Sequence, residues 1–221
     1  MHGFGANKES FSAQISYFAQ FFHVIAIDFP GFGKSSPIPY PFCVKDYADL
    51  VLALLNALQI ETFSLLGHSF GGRVAIYIAA HTNRVTHLVL ADSAGIKPRF
   101  SLRRQLKKRQ FQRKKNKVGE GERAQFGSVD YRSLSPIEKH SFSLVIQEDL
   151  TPMLGNIRCP TLVIFGAKDR ETPLYMARKL YKGINCGTLT VIKNAGHFAM
   201  VQSPTAFNQA VMAFFLSKKG E

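Results

Sequence analysis

Residues Ser64 to Gly72 read S-L-L-G-H-S-F-G-G, an apolar run ending in a serine with a glycine two positions to either side. The run Phe63–Leu66 has strand character, Gly67-His68-Ser69-Phe70-Gly71 is a G-x-S-x-G elbow, and the apolar stretch Arg73–Ala80 has helical character. A strand that turns so sharply into a helix forces its serine into a strained backbone conformation, and side chains two positions away would collide with the turn. The strain lifts the Ser69 hydroxyl above the carboxyl edge of a sheet. It also sets the residue at a helix start, where free N–H groups can stabilise anionic charge. The competing reading is a glycine-rich turn whose serine only caps a helix. The strand and helix on either side favour a nucleophile.

The remainder of the chain repeats the strand–helix rhythm. Strand candidates are His23–Ile27, Phe63–Leu66, His87–Ala91, Thr161–Phe165 and Thr188–Ile192, runs with little polar alternation, as parallel strands covered on both faces require. Tyr47, Leu50, Val51, Leu54, Leu55 and Leu58 recur at helical spacing, as do Phe207, Val211, Phe214 and Phe215 behind Ser203-Pro204. The alternation predicts an α/β fold with a mostly parallel sheet flanked by helices. From Lys97 to Pro152 the rhythm stops, which reads as a partly helical insertion between two core strands.

A serine hydroxyl is a poor nucleophile until a base takes its proton, and the base must be held in one tautomer. Asp169 follows the strand candidate Thr161–Phe165 by one loop, in Gly166-Ala167-Lys168-Asp169. His197 follows Thr188–Ile192 in the same way, in Lys193-Asn194-Ala195-Gly196-His197. Taken singly, an aspartate beside a turn is more often a cap and a loop histidine more often a surface residue. Together they give the order Ser, Asp, His, each just past a strand. Asp92, at the end of His87–Ala91, is a rival for the acid.

The stretches His2-Gly3-Phe4-Gly5, Asp28-Phe29-Pro30-Gly31-Phe32-Gly33-Lys34-Ser35, Gly67-His68-Ser69-Phe70-Gly71-Gly72, Gly166-Ala167-Lys168-Asp169 and Asn194-Ala195-Gly196-His197-Phe198 resemble α/β-hydrolase-fold proteins of the bacterial esterase-like group. The resemblance runs from His2 to Leu216 and is least specific in the insertion. It implies Ser69 as nucleophile, His197 as general base and acid, Asp169 as the orienting carboxylate, and the backbone N–H groups of Phe4 and Phe70 as an oxyanion hole. It implies a core of residues 1–96 and 153–221 and a basic cap of residues 97–152 over the site. Family branches that cleave carbon–halogen bonds or epoxides carry an Asp where Ser69 stands, which leaves acyl-enzyme chemistry on a carboxylic ester or related small acyl substrate. Carbon–carbon cleavage beside a ketone, or peracid chemistry, would use the same parts. In the family a strand precedes His-Gly, so a start upstream of Met1 is expected, and a non-catalytic fragment or binding module is the alternative from another class.

Composition narrows the partners. Of 28 basic residues against 15 acidic, eleven fall between Lys97 and Lys117 with no acid among them, so the net charge of +13 is local. A solvated cap helix is the favoured account of this run, with Leu102, Leu106, Gln110 and Arg113 at helical spacing. An electropositive cap for anionic substrates or lipid comes next, and nucleic-acid binding last, since only Phe100 and Phe111 supply aromatics. Gly31-Phe32-Gly33-Lys34-Ser35 mimics the end of a phosphate loop. The expected first glycine is Asp28, and Pro37, Pro39 and Pro41 stand where a helix should open, so the nucleotide reading fails. Three distant cysteines suggest neither a disulfide framework nor a metal site, and no cofactor is implied. Without a signal peptide or an apolar run of membrane-spanning length, the expected compartment is the cytoplasm.

Overall fold

The computed structural model describes residues 1–98 and 134–217, with the isolated positions Gln110 and Arg113 between them. Four strands, β1 (Phe63–His68), β2 (Val85–Ala91), β3 (Thr161–Gly166) and β4 (Gly187–Ile192), form one sheet in the order β1-β2-β3-β4. Every neighbouring pair is parallel. Around the sheet stand the α-helices α1 (Ser12–Phe18), α2 (Val44–Ala57), α3 (Phe70–His81), α4 (Pro136–Gln147), α5 (Leu174–Gly183), α6 (Ala199–Gln202) and α7 (Pro204–Leu216), with 3-10 turns at Lys8–Phe11 and Thr151–Asn156. Parallel neighbours need a crossover, which α3 supplies between β1 and β2 and α5 between β3 and β4.

The near-continuous apolar character of the central strands β2 and β3 follows from burial on both faces. In β2, Leu88 and Leu90 join a core with Val74 of α3 and Tyr47 of α2. The alternate residues Val89 and Ala91 join a second core with Phe18 of α1 and Phe207 and Val211 of α7. In β3, Val163 and Phe165 face the first core while Leu162 and Ile164 face the second. Each fully buried side chain of this kind contributes about 1.5–3 kcal/mol. The expected strands and helices within the described residues match these elements closely, with one exception.

That exception is His23–Ile27. The segment has no regular secondary structure and joins no ladder. A strand requires a partner within hydrogen-bonding distance, and here a cavity of about 450 Å³ is lined both by Val24, Ile25 and Ile27 and by Phe63, Leu65 and Leu66. Along this edge of β1, Met1 makes the pairing: its amino group donates to the Leu66 carbonyl (2.8 Å), and its carbonyl accepts from His68 N–H (3.0 Å).

Part of the expected insertion is defined. Helix α4 opens on a capping box, in which Glu138 N–H donates to Ser135 Oγ (3.2 Å) and Ser135 N–H to Glu138 Oε2 (2.7 Å). Ser141 Oγ donates to the Phe42 carbonyl (2.7 Å), tying the helix to the segment before α2. The helical reading of Leu102 and Leu106 and most of the basic run lie outside the described residues. No described helix is long and apolar enough to cross a membrane.

Candidate active site

The register Gly67↔Leu90 and Leu90↔Val163 brings the carboxyl ends of β1, β2 and β3 to one rim. Ser69 and Asp92 follow the ends of β1 and β2 directly, and Asp169 and His197 lie in the loops after β3 and β4. Ser69 sits between β1 and α3 with φ 50° and ψ −110°, outside the regions that side chains ordinarily adopt. Its glycine neighbours have a steric reason. A Cβ on Gly67 would run into the Gly71 carbonyl, and one on Gly71 would run into the carbonyls of Met1 and His2.

The three side chains singled out in the sequence meet. Ser69 Oγ lies 3.0 Å from His197 Nε2, and His197 Nδ1 lies 2.9 Å from Asp169 Oδ2. With Nδ1–H donating to the carboxylate, Nε2 presents its lone pair to the serine hydroxyl. Asp169 Oδ1 accepts from the N–H groups of Glu171 (2.8 Å) and Thr172 (3.0 Å), and Thr172 Oγ1 donates to Oδ2 (2.6 Å). Burial pushes the Asp169 carboxyl up, but the hydrogen bonds from His197 and Thr172 outweigh it and hold it below its ordinary value. Burial pulls the His197 imidazole down. The hydrogen bond and charge of Asp169, joined by the charges of Glu171 and Asp92, prevail and raise it above its ordinary 6.5.

Asp92, the rival acid, is engaged elsewhere. Its Oδ1 accepts from Gly166 N–H (2.7 Å) and its Oδ2 from Ala199 N–H (3.2 Å), so one fully buried carboxylate joins the end of β3 to the start of α6. Burial pushes this carboxyl up to about 7.

The backbone candidates for anion binding flank Ser69. Phe70 is the first residue of α3, so its N–H is one of the donors that a helix start leaves without an intrahelical partner. The Phe4 segment is anchored by Met1 on β1 and by His2, whose Nε2 accepts from Phe29 N–H (3.0 Å) and whose Nδ1–H donates to the Gly3 carbonyl (2.7 Å). The Phe4 ring packs against Phe32, Phe70 and Phe142, with centroids 4.9, 5.7 and 4.6 Å away. The loop that imitates a phosphate site is closed on itself: Asp28 accepts from the N–H groups of Lys8 (2.7 Å) and Lys34 (3.0 Å) and pairs with the Lys8 ammonium (2.8 Å).

Three contributors escaped the sequence reading. Thr172 supports Asp169, Glu171 places Oε2 3.4 Å from His197 Nε2, and His68 donates Nε2–H to the His197 carbonyl (2.7 Å). The sequence places His68 only within the elbow. Burial lowers its imidazole to about 3, which fixes it neutral and makes it a strut rather than a charge. Only Thr172 left a sequence signal, as a hydroxyl residue three positions beyond a turn aspartate.

Known proteins agree with this architecture. The alpha/beta hydrolase family matches residues 1–210. A curated relative, 3-oxoadipate enol-lactonase 2 of Acinetobacter baylyi, is 30% identical over 95% of this chain and 84% of its own length. A 2-hydroxy-6-oxononadienedioate/2-hydroxy-6-oxononatrienedioate hydrolase of Cupriavidus pinatubonensis is 29% identical over 87% of this chain and 76% of its own. The solved structure of a hydrolase from Pseudomonas aeruginosa, 26% identical, covers 98% of this chain and 88% of its own at a TM-score of 0.75. With fold and family match in agreement over nearly the whole length, the chain belongs to the alpha/beta hydrolase family.

Proposed function

We propose that this hydrolase cleaves a carboxylic ester or lactone of a small molecule through an acyl-enzyme on Ser69. The observation that carries the reading is the continuous chain Ser69 Oγ to His197 Nε2 (3.0 Å) and His197 Nδ1 to Asp169 Oδ2 (2.9 Å). His197 takes the hydroxyl proton as Oγ bonds to the substrate carbonyl carbon, and the carbonyl π electrons move to its oxygen. The N–H groups of Phe70 and Phe4 stabilise that oxyanion, each donor worth roughly a hundred- to a thousandfold in turnover. Collapse breaks the carbon–oxygen bond to the leaving alcohol, which takes the proton from Nε2. Water then repeats the sequence, releasing the acid and restoring Ser69. Asp169 orients the imidazole and stays ionised. The three cysteines, all free, support a reducing compartment, the cytoplasm.

The test is turnover of a short chromogenic ester together with labelling by a serine-reactive phosphonate, using wild type and Ser69→Ala. Ser69→Ala should lower kcat by on the order of a million-fold and abolish labelling. Equal inertness of both folded proteins would leave a hydrolase-like binding module in place of the enzyme.

A second reading, hydrolysis of a carbon–carbon bond beside a ketone, draws on the Cupriavidus relative at 29% identity. It uses the same serine with a carbanion-equivalent leaving group. Ser69-dependent turnover of a dienol ketone acid in preference to the ester would select it.

A further inference from the structure

The reading of Ser69, His197 and Asp169 leaves one charged group at the same imidazole unused. Glu171 stands two residues beyond Asp169, and its N–H donates to Asp169 Oδ1 (2.8 Å), which fixes the turn. Its side chain then comes round to the opposite edge of the ring, with Oε2 3.4 Å from His197 Nε2. The imidazole therefore lies between two carboxylates of one loop, Asp169 on Nδ1 and Glu171 on Nε2. They differ in surroundings. The Asp169 side chain has no exposed surface, whereas that of Glu171 is 70% exposed. Glu171 thus marks the water-facing side of Nε2, and Nε2 is the atom that hands its proton to the departing group.

We propose that Glu171 is a positioning residue that holds the protonated form of His197 and sets a negative charge on the leaving-group side, selecting substrates whose leaving group carries no negative charge. The inference rests on the acyl-enzyme reading above and adds to it a class of substrate. When His197 is neutral, the Glu171 carboxylate beside Nε2 gains little, because the lone pair there is directed to the Ser69 hydroxyl. Once Nε2 has taken the Ser69 proton, the same carboxylate lies 3.4 Å from a cationic ring, so its attraction grows as the transition state is approached. An anionic group on the departing alcohol would be brought within a few ångströms of Oε2 and repelled. The other groups facing the imidazole do not reproduce this field. Asp169 sits on the other ring nitrogen and Asp92 is held by the Gly166 and Ala199 N–H groups, both of them buried. His68 of β1, with centroids 4.9 Å apart, is held neutral, and Phe198 and the Thr172 hydroxyl carry no charge. The raised affinity of His197 for its proton, with Glu171 among its causes, agrees with the geometry.

The experiment compares wild type, Glu171→Gln and Glu171→Asp on two aryl esters that differ only in a carboxylate on the leaving phenol. kcat/KM is measured against pH at low and high ionic strength. In wild type the acid limb should lie above pH 6.5, the ordinary value for the group. In Glu171→Gln it should move to lower pH. Discrimination against the carboxylated ester should fall about two- to fivefold at low salt, the range expected of an exposed charge pair. Added salt should reduce discrimination in wild type but not in Glu171→Gln. Glu171→Asp keeps the charge and should keep most of the discrimination. An unchanged acid limb and an unchanged ester ratio in folded Glu171→Gln would overturn the proposal while leaving the acyl-enzyme reading intact. Absence of Ser69-dependent turnover in wild type would overturn that reading instead. In that case NMR titration of the His197 ring decides the Glu171 contact separately: a lower midpoint in Glu171→Gln supports it, and an unchanged one removes it.

Discussion

Ser69 holds a backbone conformation, φ 50° and ψ −110°, that costs about 1–3 kcal/mol and persists only because its surroundings dictate it. Thr172 is part of those surroundings one step removed, since its hydroxyl donates to Asp169 Oδ2 at 2.6 Å. Thr172→Val keeps the shape and removes the donor. A hydrogen bond to a charged group is worth about 1.5–3 kcal/mol, so kcat/KM on the test ester should fall roughly ten- to a hundredfold with the fold intact. Steady-state kinetics beside circular dichroism checks this. Ser69, Asp169 and His197 were legible in the sequence because each ends a strand, and position past a strand can be read from an apolar run. Thr172 and Glu171 were not, because a loop's side-chain directions depend on its turn geometry, which composition does not specify. Asp92 shows the same limit: its placement fitted an acid, while its two buried N–H partners exist only in three dimensions.

At the scale of elements, the β1–α3 turn allows no side chain where the Gly71 carbonyl closes on Gly67. Gly67→Ala should therefore destabilise the protein by about 1–3 kcal/mol, as overpacking does, with a lower denaturation midpoint in urea. Activity should fall with it, because relief requires moving Ser69. Strand β3, buried at every position, was readable because a strand covered on both faces must be apolar throughout, and β4, only partly buried, because its Leu, Val and Ile still stand out from the flanking loops. His23–Ile27 has the same composition and forms no ladder, because pairing belongs to the neighbour as much as to the segment. Composition reports burial and cannot report the distance to the next strand. The basic run between Lys97 and Lys117 was readable as charge alone, since its apolar stripe is too thin to fix a face.

For the whole molecule, the sheet has a gradient of support. Strands β2 and β3 are paired on both sides and nearly dry, whereas β1 meets the cavity beside residues 23–27. Hydrogen–deuterium exchange should find the slowest amides in β2 and β3 and fast exchange at 23–27, with β1 between them. Equal protection of 23–27 and β3 would contradict this picture. The Asp92 carboxylate gives the molecule a further property. Because it clasps Gly166 at the end of β3 and Ala199 at the start of α6, it acts as a rivet through two plates. The aspartate and the imidazole are thereby carried on what amounts to a single part, so warming the protein should leave their alignment intact until that part gives way all at once, rather than letting it drift.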